Sequence, residues 1–212
     1  MTTVYFIRHG QSTANLSQCF AGFIDVSLTD LGRKQAACTA EFMADIPLSA
    51  VYSSDLSRAY DTACAVAEKH GLTVQTNPNL REINAGAWEG KPFDELMRND
   101  EAFRHWCREI GTATCTDGES VCKLQERVAN AVADIVARHP DESVCIVAHG
   151  TPIRVLTALW TGTPLLHLHT VPWASNASVT KVEFSSPRDG RVVVADMHEH
   201  LKDLVSRLPT NV

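Results

Sequence analysis

The sequence predicts an α/β fold: a three-layer α/β/α sandwich with a mostly parallel central sheet, a C-terminal hairpin and a small helical insertion at 91–118. Three observations predict it. Short apolar runs alternate with segments whose apolar residues recur at helical spacing. The alternation reads β-α-β-α at the start of the chain and β-α again around residue 145, the pattern of a parallel sheet covered by helices. Two of the apolar runs, FIRHG and CIVAHG, end alike in His-Gly, and the carboxyl ends of such strands are where ligands collect.

Each element has its own signal. VYFI (4–7) is a strand, and TDLGRKQAACTAEFMADI (29–46) is a helix that Thr29 can cap and Pro47 follows. AVYSS (50–54) is a strand; DLSRAYDTACAVAEKH (55–70) is a helix ended by Gly71, where a left-handed stop is wanted. LTVQTNP (72–78) is a further strand. The stretch 80–111 is less regular and carries a loop followed by one or two short helices. GESVCKLQERVANAVADIVARH (118–139) is a long amphipathic helix closed by Pro140, SVCIVA (143–148) a buried strand, and TPIRVLTALWTG (151–162) a helix with Pro152 near its first turn. SVTKVEF (178–184) and RVVVADMH (191–198) flank SSPRDG, which predicts a hairpin with Asp189 and Gly190 at its tip. No internal repeat or linker interrupts this order, so a single domain is expected over 1–212.

Composition narrows the function. A net charge of −6, without a run of like charges, leaves no basic stripe for nucleic acid. No apolar run approaches the length needed to span a bilayer, so no membrane partner is expected. The seven cysteines are odd in number and scattered without a C-x-x-C, and the N-terminus enters a strand without a secretory apolar segment. A cytoplasmic protein is expected.

Arg8 and His9 at the end of an apolar strand are poor core residues, since neither buries easily without a partner. His149 ends a second strand in the same way, and the glycines that follow, Gly10 and Gly150, let backbone approach a ligand closely. Arg58 lies in the first turns of the helix after AVYSS, where unpaired N–H groups attract anions and a guanidinium adds a planar fork. Arg58 could equally pair with Asp55 or Asp61 at the surface. Four potentially cationic groups around one point are costly unless a multiply charged anion sits among them. Phosphate fits, and a neutral imidazole can attack phosphorus directly. His9 is the candidate nucleophile. Glu82, in the loop LREINAGAWEG with Gly86 and Gly90 after it, is the candidate general acid, although a surface acid paired with Arg81 has the same spacing.

With these residues named, the chain resembles the histidine phosphatase superfamily, also called the phosphoglycerate-mutase-like family. RHGQSTAN (8–15) is similar to the family signature RHG-x-[ST]-x-x-N, FAGFIDVSLTDLGRKQA follows at the right distance, and SSDLSRAYDTA (53–63), LREINAGAWEG (80–90) and AHG (148–150) match its later motifs in order. The resemblance implies that His9 becomes phosphorylated, that Arg8, Arg58 and His149 bind the phosphoryl oxygens, and that Glu82 donates the proton. It further implies that Asn15 and the backbone at Gly10, Gly22 and Gly150 complete the pocket, with no metal or organic cofactor and a small phosphorylated substrate as the partner. Ala21 stands where mutases of the family offer a hydroxyl, Ala85 where they have an aromatic residue, and the insertion lacks their adjacent arginine pair. These departures imply water as acceptor, hence a phosphatase. Cofactor-dependent phosphoglycerate mutase is the alternative.

Other readings stay open. HLH (167–169) and HEH (198–200) place imidazoles at alternate positions, as a metal-dependent hydrolase could use them. A module that binds a phosphorylated ligand without chemistry would keep the same pocket. In the insertion, Arg98, Arg104, His105, Trp106 and Arg108 are either substrate contacts or a solvated helix face.

Overall fold

The computed structural model describes residues 1–206. Six strands, β1 (Thr2–Arg8), β2 (Ala50–Ser53), β3 (Val74–Thr76), β4 (Ser143–Ala148), β5 (Val179–Ser186) and β6 (Asp189–Met197), form one sheet in the order β3-β2-β4-β1-β5-β6. The first four pair in parallel, and β5 and β6 extend the β1 edge antiparallel. Among the described residues seven α-helices accompany them: α1 (Thr13–Ser17), α2 (Asp30–Met43), α3 (Ser57–His70), α4 (Phe93–Asn99), α5 (Glu101–Glu109), α6 (Val121–Arg138) and α7 (Gly150–Trp160).

Period-two alternation along the strands divides the core into two layers. Val4 and Phe6 of β1 and Val144 and Ile146 of β4 pack with Val128, Ile135, Ile153 and Leu156 of α6 and α7. Ile7, Cys145 and Val147 point the other way, onto Ala40 and Met43 of α2 and Ala59, Ala63 and Val66 of α3. Both faces of the central strands are buried, which explains why VYFI and SVCIVA read as continuous apolar runs. Each fully buried Val, Ile or Phe contributes about 1.5–3 kcal/mol. The α/β/α sandwich with a mostly parallel sheet is the fold observed.

Several boundaries differ from the sequence reading, each for a local reason. The helix predicted from 55 starts at Ser57, because the Asp55 carboxylate is turned onto Arg81 (2.7 and 2.5 Å) instead of capping. Thr29 does cap α2, accepting from the Gly32 N–H, but regular helix stops at Met43 rather than 46. Gly71 is left-handed, as expected. The hairpin tip is not Asp189-Gly190 but Pro187-Arg188, since Ser186 already pairs with Asp189. Gly190 serves inside β6, where a Cβ would lie 2.9 Å from the rings of Phe184 and Trp160.

The insertion is bolted down by aromatic residues. Phe20, Trp88, Phe103 and Trp106 pack ring on ring at centroid distances of 5.4–6.2 Å. Asp100 caps α5 through the Phe103 N–H and accepts from the Trp88 indole (2.9 Å) and the Thr116 hydroxyl (2.9 Å). Among the described residues no helix is long and apolar enough to cross a membrane.

Candidate active site

The register of β1 against β4 sets the site. Ile7 stands opposite Val147 and Arg8 opposite Ala148, so His9 and His149 leave the sheet side by side. Their ring centroids are 5.1 Å apart at 64°. The first long helices after the two strands, α2 and α7, pack on opposite faces of the sheet, and a crevice opens between the strand ends.

The His9 Nδ1 lies 2.7 Å from the carbonyl oxygen of Gly10. A carbonyl only accepts, so Nδ1 carries the hydrogen and Nε2 keeps its lone pair. Burial pushes the His9 pKa well below the ordinary imidazole range, and the charges of Arg58 and Arg8 push in the same direction. His149 is fully buried and lowered by burial, Arg58, His9 and Arg8. Among the described residues, neither ring nitrogen of His149 nor the Nε of Arg8 has a hydrogen-bond partner. Buried polar nitrogens are normally paired, so three such atoms at one spot mark a place built for a guest with acceptor atoms.

The Arg8 guanidinium donates to the Ala174 carbonyl at 2.6 Å, and burial lowers its pKa to about 10. Arg58 donates to the carbonyls of Ile24 (3.0 Å), Ala21 (3.2 Å) and Gly22 (2.8 Å), and so holds the 21–24 loop while lining the cleft. Glu89 grips that loop from its amide side, accepting from Gly22, Phe23 and Ile24 at 2.6–3.2 Å. Glu82 is 9 % exposed and accepts from the N–H groups of Ile83 (2.8 Å) and Thr151 (3.2 Å). Burial raises its pKa, against the opposing pull of those donors and of Arg58. The Glu82 carbonyl is held by Arg127, which also pairs with Glu119.

Arg8, His9, Asn15, Arg58, Glu82 and Gly150 line one cleft, open at its mouth, and His149 sits against His9. Asn15 closes a capping box with Ser12 and accepts at Oδ1 from Ser12 and Asn176, so its NH₂ is what it can offer an anion. Gly10 and Gly22 do not line the cleft. The Gly10 N–H donates to Thr62 and its Cβ position is filled by the Gly32 carbonyl at 2.4 Å, while the Gly22 N–H goes to Glu89. Their lack of side chains serves backbone packing.

Of the insertion residues, Trp106 lines the cleft, whereas Arg104 and Arg108 pair with Glu101 and His105 meets Thr112. His167 and His169 have ring centroids 6.1 Å apart, and His200 stacks on Phe42. Among the described residues no three His, Cys, Asp or Glu side chains are grouped so that they could hold a metal ion. Sequence reasoning missed Ser12, Thr151, Trp173, Glu89 and Arg127. Only Ser12 had a readable signal, the capping spacing Ser-x-x-Asn; the others act through partners distant in the chain.

Comparisons agree with this geometry. The chain matches the family described as "Histidine phosphatase superfamily (branch 1)" over residues 4–196. It is 34% identical over 184 residues to the glucosyl-3-phosphoglycerate phosphatase of Mycobacterium tuberculosis, covering 83% of this chain and 82% of that one. A Yersinia pestis protein named "Probable phosphoglycerate mutase GpmB" is 31% identical, with coverage of 87% and 86%. The solved structure of Bacillus stearothermophilus YhfR superposes with a TM-score of 0.91 at 34% identity, covering 95% of this chain and all of the other. Near-complete coverage in sequence and in fold, on a chain whose motif residues meet at one strand edge, shows that it belongs to the histidine phosphatase superfamily.

Proposed function

We propose that the protein is a phosphomonoester hydrolase, acting on a small phosphorylated metabolite through a phosphohistidine at His9. The observation that carries this reading is the buried, partnerless nitrogens of Arg8 and His149 beside a neutral imidazole whose Nε2 is unprotonated. Tetrahedral phosphate supplies acceptor oxygens to such donors, and cationic groups stabilise charge on the equatorial oxygens during transfer.

In the first step the His9 Nε2 lone pair forms the N–P bond as the P–O bond to the alcohol breaks, and Glu82 gives its proton to the departing oxygen. A raised carboxyl pKa keeps that proton available. In the second step water attacks phosphorus, its proton passes to the Glu82 carboxylate, and the N–P bond breaks to restore neutral His9 and release phosphate. Arg8, Arg58 and His149 hold the phosphoryl oxygens throughout, with the Asn15 NH₂ at the edge. None of these steps calls on a metal or organic cofactor, so turnover in a strong chelator is the expected behaviour. We also infer that the whole chain works as one domain in the cytoplasm, a compartment that suits its free cysteines.

Phosphoglycerate mutase is the second reading, favoured by the mutase-named relative. Against it, the cationic side chains that line the cleft among the described residues are Arg8 and Arg58, and a bisphosphate would need more.

The test is rapid quench with a ³²P-labelled phosphomonoester. A protein-bound label that is acid-labile and base-stable, absent from His9→Ala, and chased into inorganic phosphate is expected. Label that never turns over would leave a binding module, and transfer onto a phosphoglycerate would establish the mutase.

A further inference from the structure

Among the described residues, the charged side chains that line the cleft are Arg8, Arg58 and Glu82, which act electrostatically on one another and on His9. The polar Ser12, Asn15 and Thr151 are tied to the His9 and Glu82 segments, and the remaining wall is formed by the rings of Phe20, Phe93, Trp106 and Trp173 with the small Cys19 and Ala21. Of the basic residues near these rings, Lys91 and Arg98 are exposed and outside the lining, Arg104 and Arg108 pair with Glu101, and Arg154, stacked 4.3 Å from the Trp173 ring, donates to the Val171 carbonyl. A carboxylate carried by the leaving group would therefore lose its water against ring surfaces that, among the described residues, carry no lining cation of their own. Ring faces carry negative charge density and repel an anion further, whereas a flat apolar group gains stacking and burial there.

We propose that the leaving-group end of this cleft selects flat, uncharged, apolar alcohols, so that the preferred substrates are phosphomonoesters of aryl-bearing alcohols rather than of hydroxy acids. The proposal rests on the phosphatase reading of the same site and adds the substrate class. The rings are held in place by the insertion, since Phe20 packs at 5.5 Å on Trp106 and 6.1 Å on Phe93. The selective surface is thus preformed, which lets binding energy go into discrimination rather than ordering.

The experiment compares kcat/KM for benzyl phosphate, 3-phosphoglycerate and glycerol 3-phosphate. All three release poorly acidic alcohols, so leaving-group chemistry does not decide the ranking. Benzyl phosphate is expected to lead 3-phosphoglycerate by about tenfold or more, the worth of one well-placed ring contact. Phe93→Ala, or Phe93→Leu if the alanine variant fails to fold, should lower the ratio of benzyl to glycerol phosphate turnover severalfold. Cys19→Arg, which brings a cation to the wall, should move the benzyl to phosphoglycerate ratio toward the acid. A preference for 3-phosphoglycerate, or ratios indifferent to these substitutions while phosphomonoesters are still hydrolysed, overturns the substrate class alone. Hydrolysis of none of the three overturns the phosphatase reading and this proposal with it.

Discussion

His9 and Glu82 are buried groups displaced from their ordinary pKa values in opposite directions, the imidazole down and the carboxyl up. The two shifts together favour a neutral imidazole beside a protonated carboxyl, which is the pairing that the proposed phosphoryl transfer requires. Activity should fall at low pH as His9 takes a proton and fall at high pH as Glu82 loses one. Glu82→Gln should remove the alkaline limb of the kcat/KM profile. It should also slow phosphate esters of basic alcohols by about a hundredfold or more, and nitrophenyl phosphate much less, because a good leaving group needs no proton. Equal loss on both substrates would assign Glu82 to positioning rather than acid catalysis.

Two contacts between elements hold these residues where they act. The Glu89 carboxylate collects the amides of Gly22, Phe23 and Ile24, and the carbonyls of that same loop fix Arg58. Glu89→Gln sets an NH₂ against N–H donors, so a loss of about 2 kcal/mol in urea unfolding is expected, together with a fall in kcat/KM passed on through Arg58. Behind His9, α2 approaches the His9-Gly10 turn so closely that a Cβ on Gly32 would lie 2.0 Å from the Gln11 carbonyl. That atom is backbone and cannot swing aside. Gly32→Ala should therefore cost about 3 kcal/mol and displace the turn, read as a lowered midpoint and reduced turnover in the surviving folded fraction.

Over the whole molecule, the site is built at the expense of stability. His9 and His149 both have folded pKa values below the ordinary 6.5. Their neutral forms are thus favoured by folding, and this contribution is fully present above about pH 6.5 and lost as pH falls toward the folded values. Each site weakens the fold by at most about 1.4 kcal/mol per pH unit in that window. Glu82 works the other way: its raised pKa favours the folded state below the ordinary carboxyl value of 4.5, and that contribution is lost as pH rises through the folded pKa. Urea unfolding at about pH 7.5 and about pH 5.5 should show lower stability at the acid value. His149→Asn should flatten this dependence, and an unchanged slope would contradict the buried neutral state. An oxyanion that pairs with the partnerless nitrogens should stabilise the protein, by about 2.7 kcal/mol for vanadate at a hundred times its Kd.

The sequence by itself determined the layered α/β plan, because alternation of apolar runs with helical periodicity and capping signals such as Thr29 and Gly71 are local properties of the chain. It also singled out residues that the fold brings together, since Arg8, His9 and His149 have no reason to end apolar strands unless something holds them there. Only the tertiary structure decided that Gly10 and Gly22 serve close packing, that Asp55 leaves α3 uncapped in favour of Arg81, and that the hairpin turns at Pro187-Arg188. It alone brought Glu89, Arg127 and Thr151 to the loops they hold, and the four rings to one wall of the cleft. The physical reason is range: propensity and periodicity act over a few residues, whereas hydrogen-bond satisfaction and ring packing join residues 60 or more positions apart, such as Glu89 with Phe23 and Thr151 with Glu82.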